Sequence, residues 1–373
     1  MNVIDARLRS LLQRLNLSLA VKPVNLHEER EAFLHPRFAR RSKSPVFQYE
    51  NSPLKYAGFD PVLPLETLDA PDEVVDIYQQ KQHELDLTKD MFAAVGSDNF
   101  TRRAIEIFGA PTAEDAGKAR EVLMRFAHVT PLEESSSARE FAKILKTRLE
   151  ELGIAMNITL LSSMATRISV DAASGTICLN KKALFAPQQI QRLLVHEVDT
   201  HAVRIHNGSY LPWGIFSMGT AGYREAEEGL AVYLEHRSGH LYPFQKKIYA
   251  GRCLAVYLSL SAGFAEVFEE LRDYFDEKMA YAIVERIKRG LCDTAHAGAL
   301  TKEFHYFTGP DKIRSYLHSG GNLSMLMGGK IAFNHVQVMA KLVQDGFVDT
   351  SKWVFPLEKN DDNKSAPAER CLK

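Results

Sequence analysis

Apolar positions at the start of the chain recur at helical spacing: Ile4, Leu8, Leu11, Leu12 and Leu15 fall on one stripe, with charged residues around the rest of each turn. That pattern predicts an amphipathic helix. A stretch punctuated by Pro23, Pro36, Pro45, Pro53, Pro61 and Pro64 follows, too irregular for long elements and expected to wrap over the surface of the rest. Helical periodicity returns in three runs, about 71–108, 112–127 and 137–152. Asp69-Ala70-Pro71 and Ala110-Pro111-Thr112 give boundary signals, and Gly153 is a candidate C-cap. Between 154 and 182 the texture changes to short β-branched runs: Asn157 to Leu160, Arg167 to Asp171, and Thr176 to Asn180. Ala173-Ser174-Gly175 reads as the hairpin turn between the last two. From Tyr223 to about Phe347 the pattern is mostly helical again, and Glu358 to Lys373 (EKNDDNKSAPAERCLK) reads as a disordered tail.

These elements predict an α+β protein: a largely helical body with a small antiparallel sheet beside the 187–206 helix. The organisation expected is a helical N-terminal region (1–150) packed on a unit spanning 151–350, followed by the tail at 358–373. With 373 residues the chain can bury a sizeable core. Composition narrows the function classes. Lys+Arg (46) balance Asp+Glu (47), so no global field argues for nucleic acid or an anionic membrane. The one basic run, Arg37-Phe38-Ala39-Arg40-Arg41 with Lys43, reads as a solvated loop. Cys178, Cys253, Cys292 and Cys371 have neither paired spacing nor a CxxC, which excludes a zinc knuckle, and they do not resemble a secreted disulfide framework. The charged N-terminal stripe is not a signal peptide, and no apolar run approaches the roughly 20 residues that cross a bilayer. A cytoplasmic protein is expected.

The chemistry concentrates in LVHEVDTHA, residues 194–202. Ile190, Leu193, Leu194, Glu197 and His201 share the core-facing stripe of this helix, so a glutamate and a histidine are buried and each needs a partner. A metal ion is one such partner. The spacing is unusual: residues i and i+4 of an α-helix lie about 40° apart, whereas i and i+5 diverge by roughly 140°. His196 and His201 converge only if the helix is locally underwound, as in a π-bulge, a rare feature concentrated at functional sites. A third ligand is available in the helical run Tyr223 to His236, which contains EEGLA. Gly229 in mid-helix costs about 1 kcal/mol against alanine, which close approach of another backbone would offset; the first metal helix is one candidate. Glu228, Ala231, Val232 and Glu235 share a face, so Glu228 could ligate the ion while Glu235 orients a histidine from behind. The duller alternative is a charged helix whose histidines simply hydrogen-bond to neighbouring carboxylates.

At these residues the sequence resembles the bacterial QEGLA-motif proteins. Their animal relatives are the microtubule-associated tyrosine carboxypeptidases, MATCAP-like zincins that remove the C-terminal tyrosine of α-tubulin. Besides LVHEVDTHAVRIHNG and EEGLAVYLE, the likeness takes in Val24-Asn25 through Phe47-Gln48-Tyr49, Arg286 to Leu291, Leu300 to Tyr306, and Gly309. It covers most of positions 20 to 350. The resemblance implies a zincin-like catalytic unit with His196, His201 and Glu228 as Zn2+ ligands and Glu197 as catalytic base. Two positions depart from the family pattern. Asp199 stands where a glycine is common, and could bind histidine or water or alter the underwound turn. Glu227 stands where many bacterial members have glutamine.

The resemblance thus implies hydrolysis of the C-terminal residue of a peptide or protein tail. Zinc would polarise the peptide carbonyl and lower the pKa of its bound water, whose proton Glu197 would accept. A carboxypeptidase also needs a cation for the substrate's terminal carboxylate, for which Arg286, Arg289 and Lys302 are candidates, each with a plain surface charge as its alternative. Tyr306 and Tyr223 are candidates to stabilise the oxyanion. Arg204 and Asn207, in the pattern HxxRxxNG, read as residues that fix the helix exit before Gly208. His206, His236, His296, His305, His318 and His335 read as solvated or incidental. A different class of function stays open: a non-catalytic, metal-stabilised protein that binds a peptide tail on the same fold. A helical scaffold without metal is the third possibility. Neither the substrate nor its terminal residue is legible in the sequence.

Overall fold

A computed structural model describes residues 2–35, 43–50, 56, 58–164 and 166–356. The basic run at 37–41 and the tail at 358–373 lie outside these, apart from Lys43.

The first helix forms as its stripe predicts. It spans Val3–Arg14, capped by the Asn2 side chain, and buries Ile4, Leu8 and Leu11. The periodicity over 71–108 resolves into two helices, Asp72–Ala93 and Asn99–Phe108. The break sits at Gly96, whose φ of +87° is left-handed and whose missing Cβ leaves room for the Cys292 sulfur. The next two helices begin on complete capping boxes, Thr112 with Asp115 and Ser137 with Glu140. Gly153, at φ +66°, ends the second of them, Ala138–Glu151.

The three strands expected between 154 and 182 are present, with the turn held by Asp171, whose carboxylate accepts from Ala173 N and Ser174 Oγ. Strand β1 (Ser136–Ser137) pairs antiparallel with β5 (Leu184–Phe185). In the second sheet the order is β2–β4–β3, where β2 is Asn157–Leu161, β3 Ile168–Asp171 and β4 Thr176–Asn180. The β3–β4 hairpin is antiparallel, with Ile168 opposite Leu179; β2 joins the far side of β4 in parallel, with Asn157 opposite Thr176. On the central strand Ile177 and Leu179 are fully buried while their neighbours are half-covered, the period-two pattern of a sheet with one core face. Strand β3 lies against the helix that carries the histidines.

Helices dominate the rest, so the class is α+β with a mostly helical body. One apolar cluster joins Ile4, Leu8 and Leu11 to Ile177, Val198, Leu230 and Met339; a second joins Phe33 and Leu123 to Leu254, Phe268 and Ile287. Both draw on residues from either side of position 150. Among the described residues no helix is long and apolar enough to cross a membrane.

Candidate metal centre

The chain from Pro187 to Gly208 is one continuous rod in three parts: α-helix Pro187–Leu194, π-helix Val195–Ala202, and α-helix Val203–Gly208. The extra residue in HExxxH is absorbed by the predicted underwinding. Hydrogen bonding from i to i+5 brings residues five apart onto one face, and the Thr200 hydroxyl adds a 2.8 Å bond to the Val195 carbonyl. The His196 and His201 rings accordingly meet edge to face, with centroids 4.7 Å apart.

Glu228 arrives from the helix Tyr223–Arg237. Its Oε2 lies 3.4 Å from His196 Nε2 and 3.8 Å from His201 Nε2. Three ligand atoms within 4.8 Å of one another thus come from two helices. Donors at about 2.0–2.1 Å from a tetrahedral zinc stand roughly 3.3–3.4 Å apart, the separation His196 and Glu228 already have, while His201 stands slightly wider from Glu228. Two further features fit a metal. Glu228 Oε2 is buried with no hydrogen-bond partner. The Glu197 side chain, in a residue only 7% exposed, makes no hydrogen bond or ion pair with any described residue. Burial works against the charge of Glu228, but His196, His201 and Lys302 hold its pKa at about 2. His196 is driven the other way: burial would lower it, yet Glu228, Glu235 and Glu197 hold it up at about 10.

What brings Glu228 to the right depth is a helix crossing. Gly229 packs backbone to backbone against the helix His305–His318 at Gly309, where a Cβ would sit 2.7 Å from the Gly309 carbonyl carbon. The backbone that offsets this glycine is therefore not the metal helix, as the sequence suggested, but a later one.

Behind each imidazole stands a carboxylate. His196 Nδ1 lies 2.8 Å from Glu235 Oε1, and that same oxygen accepts from Arg192 at 2.8 Å while Tyr249 Oη lies 3.3 Å away. His201 Nδ1 lies 2.9 Å from Glu227 Oε1, an ion-pair approach without good hydrogen-bond alignment. Glu227 is in turn paired with Arg204 and Lys330. Arg204 donates to the carbonyls of Leu326, Gly329 and Ile331, so it anchors the later chain as well as Glu227. Asn207 donates to the Met327 and Val354 carbonyls and touches neither histidine, so it does only what fixing the helix exit requires. Asp199 faces away from the ligands. It pairs with Arg148 through both oxygens, at 2.8 and 3.1 Å, and not with His201.

The cations sort into two groups. Arg286 and Lys302 converge on buried Glu303, each at 2.7 Å, joined by Arg252 at 3.4 Å. Burial would raise the pKa of Glu303, but these three cations hold it well below the usual carboxylate range. Their side chains remain about a fifth exposed, and the fields of Arg286 and Lys302 reach Glu228. Arg289 does not join them; its guanidinium pairs with Glu285 one turn back. Tyr306 stacks on His196 (6.1 Å between centroids) and on Tyr249 (5.3 Å), with the Arg252 guanidinium 5.3 Å from its ring centre. Burial, then Glu228 and Glu303, push its phenol well above 10, so it stays a proton donor. Tyr223 is elsewhere, its ring beneath Lys81 and Lys330.

Sequence reasoning missed Arg192, Tyr249, Arg252, Glu303 and Lys330. Two carried a signal. Arg192 is the lone charge between Pro187 and Val195, one turn before His196, and Arg252 is the lone charge in the run GRCLAVYLSL. Of the remaining histidines, His305 is buried near Glu225 (3.8 Å) and His335 bonds Thr220 and Gln80.

The family model described as "Microtubule-associated tyrosine carboxypeptidase" matches residues 32–371. Microtubule-associated tyrosine carboxypeptidase 1 of Mus musculus is 24% identical over 330 residues, covering 86% of this chain and 61% of the relative. The Rattus norvegicus protein of that name gives the same figures, and the Homo sapiens one is 26% identical over 156 residues, 39% of this chain and 32% of the relative. The chain thus spans about three fifths of the length of the mouse and rat relatives. With the family match running through both ligand helices and the cation cluster, the chain belongs to the microtubule-associated tyrosine carboxypeptidase family.

Proposed function

We propose that this protein is a zinc-dependent carboxypeptidase that removes the C-terminal residue of a peptide or protein tail. The observation that carries this reading is the convergence of His196, His201 and Glu228 in a buried, underwound turn beside an unpaired Glu197. His196, His201 and Glu228 would hold a zinc ion, which when bound would supply Lewis-acid polarisation of the scissile carbonyl and an acidified water. Glu197 would accept a proton from the attacking water and return it to the departing amine as the C–N bond breaks. Tyr306, kept protonated and stacked on His196, donates to the developing oxyanion.

The exopeptidase part of the reading rests on the cations. Glu303 holds Arg286, Lys302 and Arg252 at one wall, and three positive charges on one carboxylate leave a surplus for a second one. A substrate's terminal carboxylate meets that need, and the planar guanidiniums can grip it bidentately. The relatives' name speaks of tyrosine as the residue removed; for this chain the terminal residue is a matter for experiment.

The test combines metal analysis with peptide digestion. Purified protein should contain one zinc per chain and shorten peptides from the C-terminus in a library varied at the last two positions, read by mass spectrometry. Glu197→Gln should keep the zinc and lose turnover by at least about 100-fold. Cleavage confined to internal bonds, or a metal-free protein, refutes the reading.

A further inference from the structure

The geometry points to Glu227, pinned by Arg204 and Lys330, as the residue that positions the His201 ligand and sets how tightly the site holds a divalent metal. This rests on the zinc reading above and deepens it.

Each imidazole that binds through Nε2 must present its lone pair there, which requires the proton on Nδ1 and an acceptor behind it. Glu235 serves His196 in that way. For His201 the acceptor is Glu227, which lies 2.9 Å from Nδ1 and is only 3% exposed. Glu227 directly precedes Glu228 on the same helix, so one turn supplies both a ligand and the support of another ligand. The two supports differ in construction. Glu235 is held by Arg192 and the Tyr249 hydroxyl. Glu227 is clamped by a cation on each oxygen, Lys330 on Oε1 and Arg204 on Oε2.

Neither cation is free to follow the ring. Arg204 is fully buried and donates to three carbonyls between 326 and 331, while the Lys330 amide donates to Phe216 O at 2.7 Å. A carboxylate fixed from two sides meets the imidazole where the cations put it, which accounts for the close but imperfectly aligned approach of His201.

Zinc affinity separates this role from a merely structural one. Zinc alone is titrated against a chromophoric chelator for wild type, Glu227→Gln, Lys330→Met and the double variant, and each is melted with and without zinc. Glu227→Gln alone strands two buried cations and should melt early. The double variant removes one stranded charge and leaves Arg204 on its three carbonyls, so its metal-free melting temperature should recover most of that loss. Its zinc affinity should nevertheless stay about 10- to 100-fold below wild type, with a correspondingly smaller gain in melting temperature on zinc addition. Lys330→Met, which keeps the carboxylate, should bind within about threefold of wild type, since the support behind the imidazole is intact. Zinc binding by the double variant within about twofold of wild type, or a loss in Lys330→Met equal to that in Glu227→Gln, overturns the inference. A wild-type protein that binds no zinc fails the underlying reading instead.

Discussion

At the scale of single residues, the site is built from charges that only make sense in pairs. Asp199 illustrates this. Its place between the two histidines invites a role at the metal, yet its bidentate partner is Arg148 on a neighbouring helix. Asp199→Ala should therefore lower stability by about 1–3 kcal/mol, less than for a fully buried pair because Arg148 is a quarter exposed. Zinc content should be unchanged. Urea unfolding and metal analysis check the two halves of that statement, and lost zinc in a folded variant would contradict it. Lys288 gives a pH signature. It is fully buried, donating to the Ala262 and His296 carbonyls, and burial lowers its pKa to about 7 against the opposing pull of Glu266. The unfolded chain, with a lysine near 10.4, then binds more protons between about 7 and 10.4, so stability rises with pH across that window. The Lys288 contribution is whole above the unfolded value and lost as pH falls to about 7. Wild type should gain stability relative to Lys288→Met between pH 7 and 10 in parallel urea titrations; a constant difference would refute the assignment.

At the scale of elements, two departures from ideal helix geometry place the ligands. The π-helical turn brings His196 and His201 together, and the glycine-on-glycine crossing of 223–237 with 305–318 sets the depth of Glu228. A methyl group at Gly229 would meet Gly309 backbone at 2.7–2.8 Å, and backbone cannot swing aside as a side-chain tip can. Gly229→Ala should thus cost about 1–3 kcal/mol, despite alanine's better helix propensity, and weaken zinc binding with it. Thermal melting with zinc titration reads both. A neutral or stabilising outcome would mean that the crossing is looser than it looks.

At the scale of the molecule, the proposed metal centre belongs to a shared core. The apolar cluster that includes Val198 and Leu230 also includes Ile4, Leu8 and Leu11 of the first helix and Met339 near the end. Removing the ion should therefore loosen the whole chain. Chelation is expected to lower the melting temperature while unfolding stays a single transition, with far-UV circular dichroism and tryptophan fluorescence coincident. Two separated transitions would show units that fold apart.

Much of this was legible along the chain because its causes are local. Capping boxes at Thr112 and Ser137, the period-two strands about Asp171, and the i to i+5 stagger that demands an underwound helix all act within a few residues. Spacing made His196, His201 and Glu228 candidates, and the family resemblance implied them as a set; the structure brings their ligand atoms within 4.8 Å of one another. The tertiary structure alone decided which opposite charge each buried group meets. Asp199 found Arg148, Glu303 gathered Arg252 to Arg286 and Lys302, Gly229 met Gly309, and Lys330 came from 103 positions away to Glu227. Desolvation penalises a buried charge left without a partner, but local spacing cannot name a partner that only the packing of distant helices brings within reach.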